Sequence, residues 1–189
     1  IAGMVVRTRG PDRRWQVPAD VAIVAGRLLL GTLAAAEPSR PQVFISHTKH
    51  DGRVRAEQLA NYMRGSGSAR VQVWFDETDV DRGDELVAQL EQEVSHGVVL
   101  VVRTDHYFES PWCDLEFLQA KLRQVPMVTL LDGTLGEPSP SPYAGNHPTI
   151  VWRDGREAEV TARCVQVWLH GHHFAARARA ALTHAELPA

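Results

Sequence analysis

The residues best placed to do chemistry lie in Ser110-Pro111-Trp112-Cys113-Asp114-Leu115-Glu116. Ser110 is a good helix N-cap and Pro111 suits the first helical position, so a helix begins here. Asp114 in the first turn suits the positive helix end. Trp112 and Glu116 are four residues apart and share one face of that helix. A carboxylate beside a large aromatic could hold a ring and a ribose together. The plainer reading is an exposed glutamate with Trp112 packing nearby. Cys113 near a helix N-terminus could be a nucleophile, although no histidine is close in sequence and packing is its default role.

Other groups read more plainly. The run from Asp76-Glu77 to Arg82-Gly83-Asp84 is a solvated acidic loop, with Gly83 for a turn and Asp84 to cap the next helix. Asp76, Asp79, Asp81 and Asp84 lack the spacing of a calcium loop. His170, His172 and His173 cluster near Gly171, with Cys164 the nearby thiol, and read as a surface group. No metal is expected. Gly65-Ser66-Gly67 follows a helix and precedes a strand, so it is a turn and not a phosphate-binding loop.

The elements that position these residues alternate in type. Val43-Phe44-Ile45, Val71 to Phe75, Val98 to Val102, Met127 to Leu131 and Thr149 to Trp152 read as strands. Residues 53–64, with Ala56, Leu59, Ala60 and Met63 at helical spacing, read as a helix. Leu86, Leu90 and Val94 mark a second. Leu115, Leu118 and Leu122 mark a third, with Glu116 beside that stripe. Residues 156–185 read as mostly helical. Such alternation predicts an α/β fold, a doubly wound parallel sheet of five strands. In the flavodoxin-like order 2-1-3-4-5, ligands gather where strands one and three part. The segments leaving them, Ser46 to Asp51 and Arg103 to Tyr107, are where chemistry is expected.

The 189 residues suit one domain with an appended segment. A net charge of −3 supplies no basic field for nucleic acid, and two cysteines build no disulfide framework. A reducing, cytoplasmic setting is expected. Residues 1–18 read as an extended arm. Residues 21–36 form the longest apolar stretch, but it is short for a bilayer and Arg27 interrupts it. It reads as an extra N-terminal buried or docking helix, capped by Asp20. Pro38 and Pro41 close a linker, dividing the chain into an N-terminal arm and helix at 1–40 and a domain at 41–189.

Together these pieces resemble the bacterial TIR (Toll/interleukin-1 receptor) domain family. The likeness runs through VFISHTKHD at 43–51, VWFDETDVDRGDEL at 73–86 and GVVLVVRTDHYFESPWCDLEFLQAK at 97–121. It covers roughly residues 42–155. The resemblance implies a flavodoxin-like fold and, in many bacterial members, cleavage of NAD+ at the nicotinamide–ribose bond. The products would be nicotinamide and ADP-ribose or a cyclic isomer. Glu116 falls on the family's catalytic glutamate. Phe44, Ser46, His47, Asp76, Arg82, Trp112 and Cys113 are then expected to form the substrate site. Asp79, Arg82 and Gly83 fall on the loop that contacts neighbouring domains in assemblies. Where some relatives carry a tryptophan in that loop this chain has Thr78, so a stacking role either comes from elsewhere, with Trp74 the candidate, or is missing.

The resemblance further implies NAD+ as substrate with no cofactor, activation by self-assembly, and a role in anti-phage defence. Partners would be other TIR domains and a sensor domain or partner protein, with no nucleic acid or membrane bound. The start at Ile1 and the apolar 21–36 stretch fit a chain that continues into such a neighbour. The alternative is a non-enzymatic adaptor acting through TIR–TIR association.

Overall fold

A computed structural model describes residues 8–9, 15–16, 41–65, 71–75, 97–133 and 147–185. The expected helices at 21–36 and 86–94 and the 76–85 loop lie outside them. Within the N-terminal arm, Thr8–Arg9 pairs antiparallel with Trp15–Gln16. The domain is built on five strands: β1 (Gln42–His47), β2 (Gln72–Phe75), β3 (Val98–Arg103), β4 (Met127–Leu131) and β5 (Thr149–Val151). Their order is β2-β1-β3-β4-β5, and every pairing is parallel. This is the expected 2-1-3-4-5 order, with the switch point between β1 and β3.

The strands read as near-continuous apolar runs because both faces of the sheet are covered. On one face, Val43 and Ile45 of β1 and Val98, Leu100 and Val102 of β3 meet α1 (Arg53–Gly65) and α3 (Glu157–Ala185). Ala56, Leu59, Ala60 and Met63 come from α1, and Val160, Cys164 and Trp168 from α3. On the other face, Phe44, Val99, Val101 and Met127 pack against α2 (Pro111–Leu122). Alternation along a strand sorts neighbouring residues to opposite faces.

Two expectations need correction. β1 does not end before Ser46; it continues through His47, which pairs in register with Val102. Ser46 therefore follows Phe44 onto the α2 face, and the pleat turns His47 toward the α1 face. The apolar stripe of α2 is also different. Cys113, Phe117 and Ala120 are buried, while Leu122 is 76% exposed and Leu115 and Leu118 are only partly covered. Both sets have helical spacing, so periodicity alone does not choose between them. The chosen set places two small residues and one ring against the sheet, and Phe108 packs edge-on against Phe117 at 5.4 Å. The roll of α2 sets which way Glu116 faces.

Phe117→Ala should lower the unfolding free energy by about 3–5 kcal/mol, as for other buried rings. Leu122→Ala should change it by less than about 0.5 kcal/mol. Urea denaturation of both variants checks this, and the opposite ranking would mean that α2 is rolled otherwise.

Candidate functional site

The N-terminus of α2 is fixed locally as the sequence predicts. Ser110 has an extended backbone, its hydroxyl accepts from the Cys113 backbone N–H at 3.4 Å, and Pro111 opens the helix. Burial of Cys113 and Phe117 then leaves Glu116 one position to the side, aimed at the end of β1. There the Ser46 hydroxyl donates to Glu116 Oε2 at 2.5 Å. Ser46 is itself 2.6 Å from the Tyr107 hydroxyl. Ser46 carries a single proton, and an ionised carboxylate can only accept. The chain therefore runs one way, from Tyr107 O–H to Ser46 O–H to the Glu116 carboxylate. The Cys113 carbonyl oxygen, 3.4 Å from the Tyr107 hydroxyl, is a second and more distant acceptor for the same proton.

Tyr107 and Ser46 are shut off from solvent, whereas Glu116 is part-buried. Burial first, and then the Glu116 charge, push the Tyr107 phenol well above its ordinary value. It stays a neutral donor across the working range. A buried donor–acceptor chain of this kind holds a carboxylate in one orientation without neutralising it. A carboxylate has about four acceptor positions, and the Ser46 hydroxyl occupies one of them. Glu116 is only partly buried, so its carboxylate is reachable from solvent.

The other expected residues distribute unevenly. Trp112 is half-exposed and stands one turn before Glu116, where it can meet a ligand. Phe44 belongs to the core beneath α2. Cys113 is also core. Its thiol lies 3.4 Å from the His47 carbonyl oxygen, and burial pushes its pKa up to about 11. Burial outweighs the helix N-terminus, so the thiol stays protonated near neutral pH and a nucleophilic role falls away. His47 is buried on the α1 side, so Ser46 and His47 face opposite sides of the sheet. Trp74 sits opposite Phe44 in register and packs against the α2-side core. Its Nε1–H is buried without a partner among the described residues. Asp76, Asp79, Arg82 and Gly83 lie outside the described residues.

Two features escaped the sequence reading. Tyr107 stood in a flagged segment without a role; its place in a Tyr-Phe pair just before the helix cap was the available signal. The second is a cluster where the same two loops meet. Thr104 donates to Asp51 Oδ1 at 2.5 Å, and His106 Nδ1 lies 2.8 Å from Asp51 Oδ2. The His50 and His106 rings are 4.5 Å apart. Partial burial raises the Asp51 pKa, but hydrogen bonds from Thr104 and His106 outweigh it and hold the carboxyl below its usual range. The hydrogen bond to Asp51 raises the His106 pKa.

A family model described as TIR domain matches residues 43–179. Among curated proteins, none matches the chain. The matched span contains β1 from Val43 on, the other four strands of the sheet and the whole of α2.

The Asp51–His106 pair sets a pH window. Its raised histidine contributes fully below the ordinary value of 6.5 and loses that contribution as pH rises through the elevated pKa. Its lowered carboxyl contributes above the ordinary 3.8 and loses it as pH falls through the depressed pKa. In Asp51→Asn the His106 midpoint should fall toward the ordinary histidine value, followed by NMR of the imidazole Cε1 proton. An unmoved midpoint would break the assignment.

Proposed function

The chain belongs to the TIR domain family, and from that premise we propose that it is an NAD+ nucleosidase whose catalytic group is Glu116. The observation that carries this reading is the part-buried Glu116 carboxylate at the switch point, held by Ser46 and backed by Tyr107. A domain that only associates with others has no chemical need for an oriented carboxylate at this edge of the sheet.

One carboxylate suffices for this reaction. A glycosidase acting on a neutral sugar ether needs a second carboxyl group to protonate the leaving oxygen. The nicotinamide of NAD+ is already cationic. When its bond to the ribose anomeric carbon breaks, the electron pair goes to the ring nitrogen and nicotinamide leaves neutral. The ribose carbon is left electron-poor. Glu116 accepts hydrogen bonds from the ribose hydroxyls and offsets that charge as it develops. Trp112 supplies a flat surface at the mouth. Water adding to the carbon, with loss of a proton, gives ADP-ribose; an adenine nitrogen adding instead gives a cyclic isomer.

Ser46 and Tyr107 act through Glu116 and are positioning residues. The TIR family associates domain to domain, and self-assembly through the 76–85 loop, with Arg82 and Gly83, is the proposed route to activity. A sensor domain or partner would supply the cue. A role in anti-phage defence by NAD+ depletion or a nucleotide signal follows from the same reading.

The test is release of nicotinamide from NAD+ at high protein concentration or under crowding. Glu116→Ala and Glu116→Gln should each lower the rate at least about 100-fold, the scale of losing a principal electrostatic contact. Ser46→Ala removes one hydrogen bond to a charged group and should cost about 10–100-fold in kcat with little change in KM. Tyr107→Phe should cost less. Self-association without release, unaltered by Glu116→Ala, would instead establish an adaptor.

A further inference from the structure

The loops leaving β1 and β3 bring together a second group that plays no part in the proposed cleavage. His50, Asp51 and His106 each offer a ligand atom, and these atoms all lie within 4.8 Å of one another. Among the described residues, the α3 histidines form no comparable group. The ring of His172 instead lies against Trp168 at 4.4 Å.

We propose that His50, Asp51 and His106 form a binding site for one divalent transition-metal ion of the zinc class. Two imidazole nitrogens and one carboxylate oxygen suit zinc and its neighbours, and disfavour calcium or magnesium, which take oxygen ligands. A tetrahedral zinc ion about 2.0–2.1 Å from each ligand spaces them roughly 3.3 Å apart. His106 Nδ1 and Asp51 Oδ2, at 2.8 Å, are already near that spacing. His50 closes the site by a side-chain rotation, which its exposure permits.

The surroundings are those of a prepared site. Thr104 donates to the other oxygen of Asp51, Oδ1, which leaves Oδ2 directed at His106. Metal-binding carboxylates are commonly fixed by such an outer hydrogen bond. The His50 backbone N–H donates to Thr48 Oγ1 at 3.2 Å, which pins the turn that presents the ring. Gly52 lets that turn close, because a Cβ there would lie 3.0 Å from the Thr48 carbonyl oxygen. Three protein ligands leave a fourth position for water or a ligand atom. The ion would also tie together the two loops that flank the switch point.

The full chain, freed of any histidine tag and stripped with a chelator, is titrated with Zn2+ alone by calorimetry near pH 7.5. One equivalent should bind with a Kd of about 10 μM or tighter. His50→Ala and His106→Ala should each weaken it at least about tenfold. His50 is exposed, so that variant stays folded. His172→Ala should leave binding unchanged. Substituted Co2+ should show visible ligand-field bands that His106→Ala abolishes. Binding weaker than that limit, or binding indifferent to His50→Ala and His106→Ala, would overturn the proposal. The readout is independent of NAD+ turnover.

Discussion

The arrangement depends on one buried serine hydroxyl. Ser46 is the next-to-last residue of β1, and its Oγ joins Glu116 on α2 to Tyr107 in the loop after β3. A β1 residue is thus fixed at a single atom to two groups more than 60 residues further along the chain. A hydroxyl is suited to this because it donates once and accepts from another donor. Alanine there would leave the phenol of Tyr107 buried with a distant carbonyl, at 3.4 Å, as its remaining acceptor among the described residues, and would remove the Ser46 hydrogen bond from the carboxylate.

The same geometry separates two chemical environments. Below Ser46 lie Tyr107, Phe117 and the β3 valines, which are closed to water. Above it, Glu116 and Trp112 meet solvent. A carboxylate at such a boundary is oriented by a dry hydrogen-bond chain on one side and can still meet a polar ligand on the other. Preorganisation of this kind lets a fixed charge act on a developing one without rearrangement. Cys113 lies on the dry side, where burial raises its pKa to about 11.

Much of this was legible in the chain itself. Alternating strand and helix patterns, with valine runs at β3, gave the topology because a doubly covered parallel strand has no polar face. The helix start at Ser110-Pro111 was legible because capping is local chemistry. The roll of α2 was not. Leucine content favoured Leu115, Leu118 and Leu122, whereas a close approach to the sheet favours Cys113 and Ala120 around Phe117. The end of β1 was misjudged because Ser46 and His47 look like loop residues, yet their backbone pairs with β3. Tyr107 and the Asp51–His106 pair join residues more than 50 apart in sequence, a separation at which only the fold reveals the partners.

The proposed reaction requires that the nicotinamide ribose of NAD+ lie against residue 116. A crystal structure or cryo-EM map of assembled Glu116→Gln with NAD+ bound measures this directly. A ribose hydroxyl within about 2.6–3.2 Å of the residue 116 side chain is the predicted result. NAD+ bound with its nicotinamide ribose at another part of the molecule would contradict the account.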